Sequence, residues 1–265
     1  VAASGAGADV RNRVSTKVHA DIDGSRGAGV SAAAISVTAQ DTSTITADAF
    51  AASVAGSVGL VGGSASIGVA LTSNEIRNDV QAFVRSATVG GGSLSVQATE
   101  TASITAVSQA AAVSASASIG VSLAGGGASA GATVATVTKA FVETSTLTLT
   151  GNLTVGASAD TSAVARVDAT ASSFGLISAA SAGSVVSATV SPTVDAHVTG
   201  STVTANDVSI SASARPKANI TATGLTVSTG VSVGVSSATA TLAPIVTASA
   251  GGTITANSLS IAATH

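Results

Sequence analysis

The chain holds few residues that could do chemistry. Of 265 residues, three are histidines (His19, His197 and His265), thirteen are Asp or Glu, and none is cysteine. Without thiolates a metal site would rest on His and carboxylates. Asp195 lies two residues before His197, which on a strand places both on one face. His197, however, fills a slot that holds Phe83 and Phe141 in related stretches. A ring in a repeated slot accounts for it better than a ligand. Asp21, Asp23 and Gly24 in "DIDGS" open like a calcium loop, but the closing Glu is missing. A turn held by Asp is the simpler reading. "GGSASIGVA" at 62–70 has no carboxylate, so the Gly-Gly-x-Gly-x-Asp calcium repeat is absent as well.

Glycoside hydrolysis needs two carboxyl groups a few ångströms apart on facing positions. Asp160 with Asp168, or Asp41 with Glu100, could meet across stacked strands. Like charges on neighbouring strands are costly, and there is no Trp or Tyr to form a sugar platform. Ser is abundant, but no His stands in a triad-like arrangement, and neither Gly-x-Ser-x-Gly nor a Gly-Lys-Ser/Thr phosphate loop occurs. Arg11, Arg13, Lys17 and Arg26 cluster but are interspersed with acids, so they read as a solvated face rather than a nucleic-acid stripe. Thr recurs two apart at Thr44/Thr46, Thr146/Thr148/Thr150, Thr202/Thr204 and Thr253/Thr255. Flat Thr-x-Thr ranks resemble ice-binding surfaces, but a rank once per 50–60 residues is sparser than one on every rung. Thr is also an ordinary outward strand residue. No catalytic, cofactor-binding or metal-ligating residue is assigned, no cofactor is expected, and the chain reads as no enzyme.

The elements that would hold such residues are better defined. Apolar content is 45%, mostly Ala and Val, with 9% charged and 2% aromatic residues and a mean hydropathy of +0.57. That is too apolar for disorder and too poor in large side chains for an ordinary globular core. Residues 101–138 and 169–194 carry no charge. They are rich in Ser, Thr and Gly and their apolar residues alternate, so they read as strands and not membrane spans. "VAASGAGADVRNR" lacks a basic region followed by an apolar run, so no signal peptide is read there, and the lack of an initiator Met suggests an interior or processed chain.

One phrase recurs: "ISVTAQDTSTITA" from Ile35, "LSVQATETASITA" from Leu94, "LTVGASADTSAVA" from Leu153, "VSISASARPKANITA" from Val208 and "LSIAATH" from Leu259. The steps are 59, 59, 55 and 51 residues. Phe83, Phe141 and His197 precede it by 11 or 12 residues. The first unit is looser: "ADVRNRV" at 8–14 matches "NEIRNDV" at 74–80, with about seven extra residues after it. Side chains alternate. Leu94, Val96, Ala98, Ala102, Ile104 and Ala106 share one face, while Val113, Ala115, Ala117, Ile119, Val121 and Leu123 fall on the opposite parity. The switch predicts a turn or bulge around 108–112. Gly90–Gly92, Gly125–Gly127 and Gly151-Asn152 read as corners, and Pro192, Pro216 and Pro244 as corners or edges.

Period 2 and poor helix formers with a long repeat predict an all-β chain: a repetitive β-solenoid (β-helix-like) of about 51–59-residue units. The alternative is a stack of long antiparallel hairpins. Rungs of about 18–25 residues would give two to three per unit, with one wide flattened turn per unit also open. The whole of 1–265 is one repetitive solenoid domain, with units at roughly 1–60, 61–119, 120–178, 179–240 and a partial 241–265.

"VQAFVRSATVGGGSLSVQATETASITA" and its counterparts at 137–165 and 194–222 resemble the repeats of large bacterial surface and secreted filamentous adhesins of the leukotoxin type. The resemblance spans nearly the whole chain and implies an extracellular or cell-surface, strand-built stalk or fibre. Its expected role is structural and adhesive, through stiffness and self-assembly by strand stacking. Self-association is the expected partnership, with contact to host, cell-surface or matrix glycans, no nucleic acid and no membrane span. The alternative function is a ligand-binding β-solenoid for ice, glycan or calcium.

Overall fold

A computed structural model describes residues 1–24, 29–117 and 119–265. Among these residues the chain forms sixteen strands and no helix. Among the described residues no helix is long and apolar enough to cross a membrane. A five-stranded sheet contains β1 (Ala2–Val14), β4 (Ser64–Ile76), β7 (Val121–Val134), β11 (Ile177–Val190) and β14 (Val231–Leu242), in that order. An eleven-stranded sheet contains the long strands β3 (Val30–Ser57), β6 (Thr88–Ser116), β10 (Leu153–Phe174) and β13 (Asp207–Ser228) with β16 (Ser258–Thr264). It also holds β2 (Lys17–Asp23), β5 (Asp79–Arg85), β8 (Val137–Glu143), β9 (Thr146–Leu149), β12 (Thr193–Thr204) and β15 (Ile245–Thr255).

Every pairing among the described strands is parallel, which excludes antiparallel hairpins as their basis. The stacked parallel sheets are compatible with a β-solenoid. Ile35, Leu94, Leu153, Val208 and Leu259 lie side by side. Each strand therefore pairs with the equivalent strand 51 to 62 residues away, not with one 18–25 residues away. Consecutive strands thus form successive levels, of which β4–β5–β6 is one.

The register also corrects the alignment of the first unit. Asn12, not Ala8, stands beside Asn74, and Val18 beside Val80, an offset of 62 that falls to 59 at Ile35. The connection before β3 therefore carries three extra residues rather than seven.

Two cores lie between the sheets. The thicker one, beneath β5, β8 and β12, is built from Val80, Val84, Leu94, Val96, Leu147, Leu153, Val155 and Ile210. The thinner one, beneath β4, β7 and β11, is mostly alanine around Ile45, Ile104, Ile76 and Val167. Serines continue it toward the chain reversals. Ser53 and Ser66 bond at 2.6 Å, Ser64 and Ser114 at 2.7 Å, and Ser122 donates to Ser114 at 3.0 Å. Paired hydroxyls can be buried because each satisfies the other. Small side chains also let the two sheets approach closely: a Cβ on Gly68 would sit 2.6 Å from the Ala111 carbonyl oxygen.

This thin core explains the largest misreading of the sequence. β6 runs unbroken through 108–112, and Ser108, Ala110, Ala112 and Ser114 remain inward. Val113 points outward, 37% exposed. The chain changes direction later, after Ser116. Where the gap admits only small residues, the larger apolar residues lie outside. Likewise Gly125–Gly127 lie within β7 and are not a corner, whereas Gly151 and Asn152 do lie between strands. Val113→Thr should change stability by no more than about 0.5 kcal/mol in urea melts, whereas an inward valine would cost several times that.

The corners have their own logic. Gly24, Ser86, Thr144 and Gly200 all follow the aligned Asp23, Arg85, Glu143 and Thr199, and all take a left-handed φ of +49 to +69°. For Thr144 that conformation is costly because its branched Cβ crowds the backbone. Thr144→Gly should raise stability by about 1 kcal/mol, read as a shift in urea midpoint. At the other corner, Ser191 N–H bonds Val134 O and Thr193 N–H bonds Thr136 O. Pro192 between them, lacking an N–H, therefore breaks neither bond. Pro216 differs, lying inside β13 beyond the last β16 partner, Ser213.

Candidate functional site

The corner between β4 and β5 places Asn78 inside the protein, at the seam between the two cores. Aligned positions at this corner are Thr16, Thr136 and Pro192. Across the seam the inward residues of the long strands are Asp41 and Ser43 on β3, Glu100 and Ala102 on β6, and Ala159 and Thr161 on β10. Asp41 and Glu100 are direct register partners. The Asn78 amide nitrogen lies 2.8 Å from Asp41 Oδ2, 2.9 Å from Glu100 Oε1 and 3.0 Å from Ser43 Oγ. Asn78 Oδ1 accepts the Thr16 N–H at 3.1 Å. Thr16 Oγ1 donates to Asp41 Oδ1 at 3.1 Å and Ser43 Oγ to Asp41 Oδ2 at 2.7 Å.

Glu100 is 1% exposed, and its Oε2 has no hydrogen-bond partner among the described residues. The hydroxyls of Thr136, Thr138 and Thr161 share that condition. Burial pushes the Glu100 carboxyl up to about 7; the Asn78 hydrogen bond opposes this and the Asp41 charge adds to it. Of the two carboxylate pairs considered from sequence, this one is brought together, but inside, where no sugar chain reaches it. Asp160 and Asp168 both lie on the outer face of β10, eight residues or roughly 26 Å apart along the strand. Sequence reasoning passed over Asn78 entirely. Its signal was alignment with Thr136 and Pro192 at offsets of 58 and 56, and with Thr16 only at the correct offset of 62.

The other charged and histidine side chains considered from the sequence lie at or near the surface. Phe83, Phe141 and His197 are aligned and stack at centroid distances of 4.8 and 5.1 Å. His197 Nδ1 lies 2.8 Å from Asp195 Oδ2 and Nε2 lies 3.1 Å from Glu143 Oε1, so both ring nitrogens are engaged. His19 is near Asp79 at 3.7 Å, and His265 is exposed. Asp23 pairs with Arg85 at 2.6 Å, and the Arg85 hydrogen bond holds its carboxyl below the usual range. Asp21 is exposed in line with Phe83. Arg11 pairs with Asp9 and Arg13 with Glu75; Ser25 and Arg26 lie outside the described residues. Among the described residues no group of three or more His, Asp or Glu side chains is placed to hold a metal ion.

Two outer surfaces are continuous across levels. Thr88, Thr146, Thr202 and Thr253 are aligned, as are Thr148, Thr204 and Thr255. Because each unit contributes one strand here, the Thr ranks fall on adjacent strands about 4.8 Å apart. Near the chain reversals the exposed residues are apolar on both faces: Ile67, Leu123 and Val233 on one side, Phe50, Phe174 and Leu225 on the other. β7, β11 and β14 carry no charged residue. No family model matches this chain, and no curated protein or solved structure matches it.

Proposed function

We propose that the chain is a β-solenoid with one 51–62-residue unit per coil, and that it serves as a structural and adhesive segment of an extracellular bacterial fibre, stalk or matrix protein. The carrying observation is the unbroken parallel ladder from β3 through β6 and β10 to β13, which repeats one strand at each level. Ladders of this kind satisfy backbone groups along the whole stack and make a stiff body. The outermost strands expose unpaired edges, which are templates for further strands. The charge-free apolar rim adds a surface for lateral contact. The role is mechanical, not enzymatic; its partners are copies of itself and glycans of a cell surface or matrix. Negative-stain electron microscopy of the concentrated chain should show end-to-end or side-by-side filaments. Uniform monomers at all concentrations would reject self-assembly.

A second reading, ice binding, is favoured by the aligned Thr ranks on β9, β12 and β15. On this reading the protein shows thermal hysteresis that Thr202→Tyr removes; its absence leaves the ranks as ordinary surface.

A further inference from the structure

The seam between the two cores changes along the stack. At the β3 level, Asp41 receives hydroxyl donors from Thr16 and from Ser43, two residues along its own strand. At the β6 level the counterpart of Ser43 is Ala102, so Glu100 lacks that donor. Its Oε1 accepts from Asn78, while its Oε2 is buried and unpartnered. At the next level Glu100 is followed by Ala159, a small neighbour, and Ala102 by Thr161. Across the seam Asn78 is followed by Thr136, joined through the bond from Val137 N–H to Asn78 O. The hydroxyls of Thr136 and Thr161 are buried and also unpartnered. At the fourth level Pro192, Ala214 and Pro216 occupy these positions, none with a polar side chain.

Two inward carboxyl groups thus stand on adjacent strands, and no Lys or Arg is buried among the described residues. Buried carboxylates are ordinarily paired with a cation or bound to a metal, and like charges in register repel. Register and the Val137 N–H bond to Asn78 O bring the Thr136 and Thr161 hydroxyls, buried and unpartnered like Glu100 Oε2, to the level next to Glu100, while the Asp41 carboxylate and the Ser43 hydroxyl are hydrogen-bonded to each other and to Asn78. An all-oxygen set of a carboxylate and hydroxyls suits a hard divalent cation and not a transition metal. We infer that the seam binds one calcium-class cation between the β6 and β10 levels, with Glu100 as the charged ligand, Thr136 and Thr161 as neutral ligands, and Asp41 supplying the second negative charge. The cation would relieve the repulsion, satisfy the orphaned oxygens and tie two levels together through side chains.

The test is calcium titration of the chelator-treated full chain at pH 8, by calorimetry and by thermal melting. One calcium per chain should bind with a dissociation constant of about 10⁻⁴–10⁻³ M, and saturating calcium should raise the melting temperature. Glu100→Gln should weaken binding at least about tenfold, the loss expected of a principal carboxylate ligand. Thr161→Val should weaken it several-fold while leaving the calcium-free melting temperature near that of the parent. Ala102→Ser, which restores the donor that Asp41 enjoys, should compete with the cation and also weaken it. An absence of calcium-dependent heat and melting shift would overturn the inference, as would an equal response in parent and E100Q, which would place binding at surface carboxylates. Filament formation bears on the proposed function and not on this site.

Discussion

Gly126→Ala should destabilise the protein by about 3 kcal/mol, the upper end for an overpacked core, and Gly126→Val by more. A Cβ on Gly126 would lie 2.5 Å from the Thr170 carbonyl oxygen and 3.1 Å from its carbon. These are backbone atoms of the facing strand, so no side chain can swing away. Its partner in register, Gly68, meets Ala111 in the same manner. The cost arises from sheet separation and not from backbone conformation, since neither glycine is among those with positive φ. The control is Gly183→Ala on the outer face of β11, where an added Cβ meets nothing within 4 Å. It should be neutral or slightly stabilising, because alanine narrows the unfolded ensemble. Urea midpoints for the three variants check the prediction. Equal effects at 126 and 183 would mean that the thin core is not closely packed.

The second large effect is on pH dependence. In the folded, chelator-treated protein the Glu100 carboxyl is raised from 4.5 to about 7, chiefly by burial. Between those values the native state holds a proton that the unfolded chain has released. Stability therefore falls as pH rises through this window. The contribution is complete below the unfolded value and is lost above the folded one, a total of about 3 kcal/mol. Urea melts at pH 4.5 and pH 8 should show the loss. Glu100→Gln, neutral throughout, should flatten the slope and be the more stable protein at pH 8. A slope of opposite sign, or one unchanged in E100Q, would sink the assignment.

Much of the architecture was legible in the repeated phrase. Leu94 and Leu153 are each the first large apolar residue of phrases that share one alternating pattern, and the structure sets them side by side because equivalent strands pair. Leu94, Val96 and Ile104 face inward as their alternation implied. The reading failed where it equated large apolar with inside. At Val113 the sheets stand too close for a valine, so Ala112 and Ser114 go in and the valine goes out. It failed again at residues 8–14, where matching letters four residues out of register concealed the true partner of Asn74. The Asp41–Glu100 pair could be proposed from their spacing of 59. The third member of that cluster, Asn78, could not, because it comes from a different strand pair whose offset is 58 or 62.

The offsets between levels shrink along the chain, from 62 and 59 at the first step to 52 and 51 at the last. Much of the shortening falls at the reversals that follow the long strands, where six residues at 58–63 are reduced to two at 175–176. On the proposed solenoid the coil therefore tapers along these residues, so that the reversals of successive levels are stepped and not flush. A taper of this kind gives the stack a polarity that its evenly spaced ladder alone would not reveal.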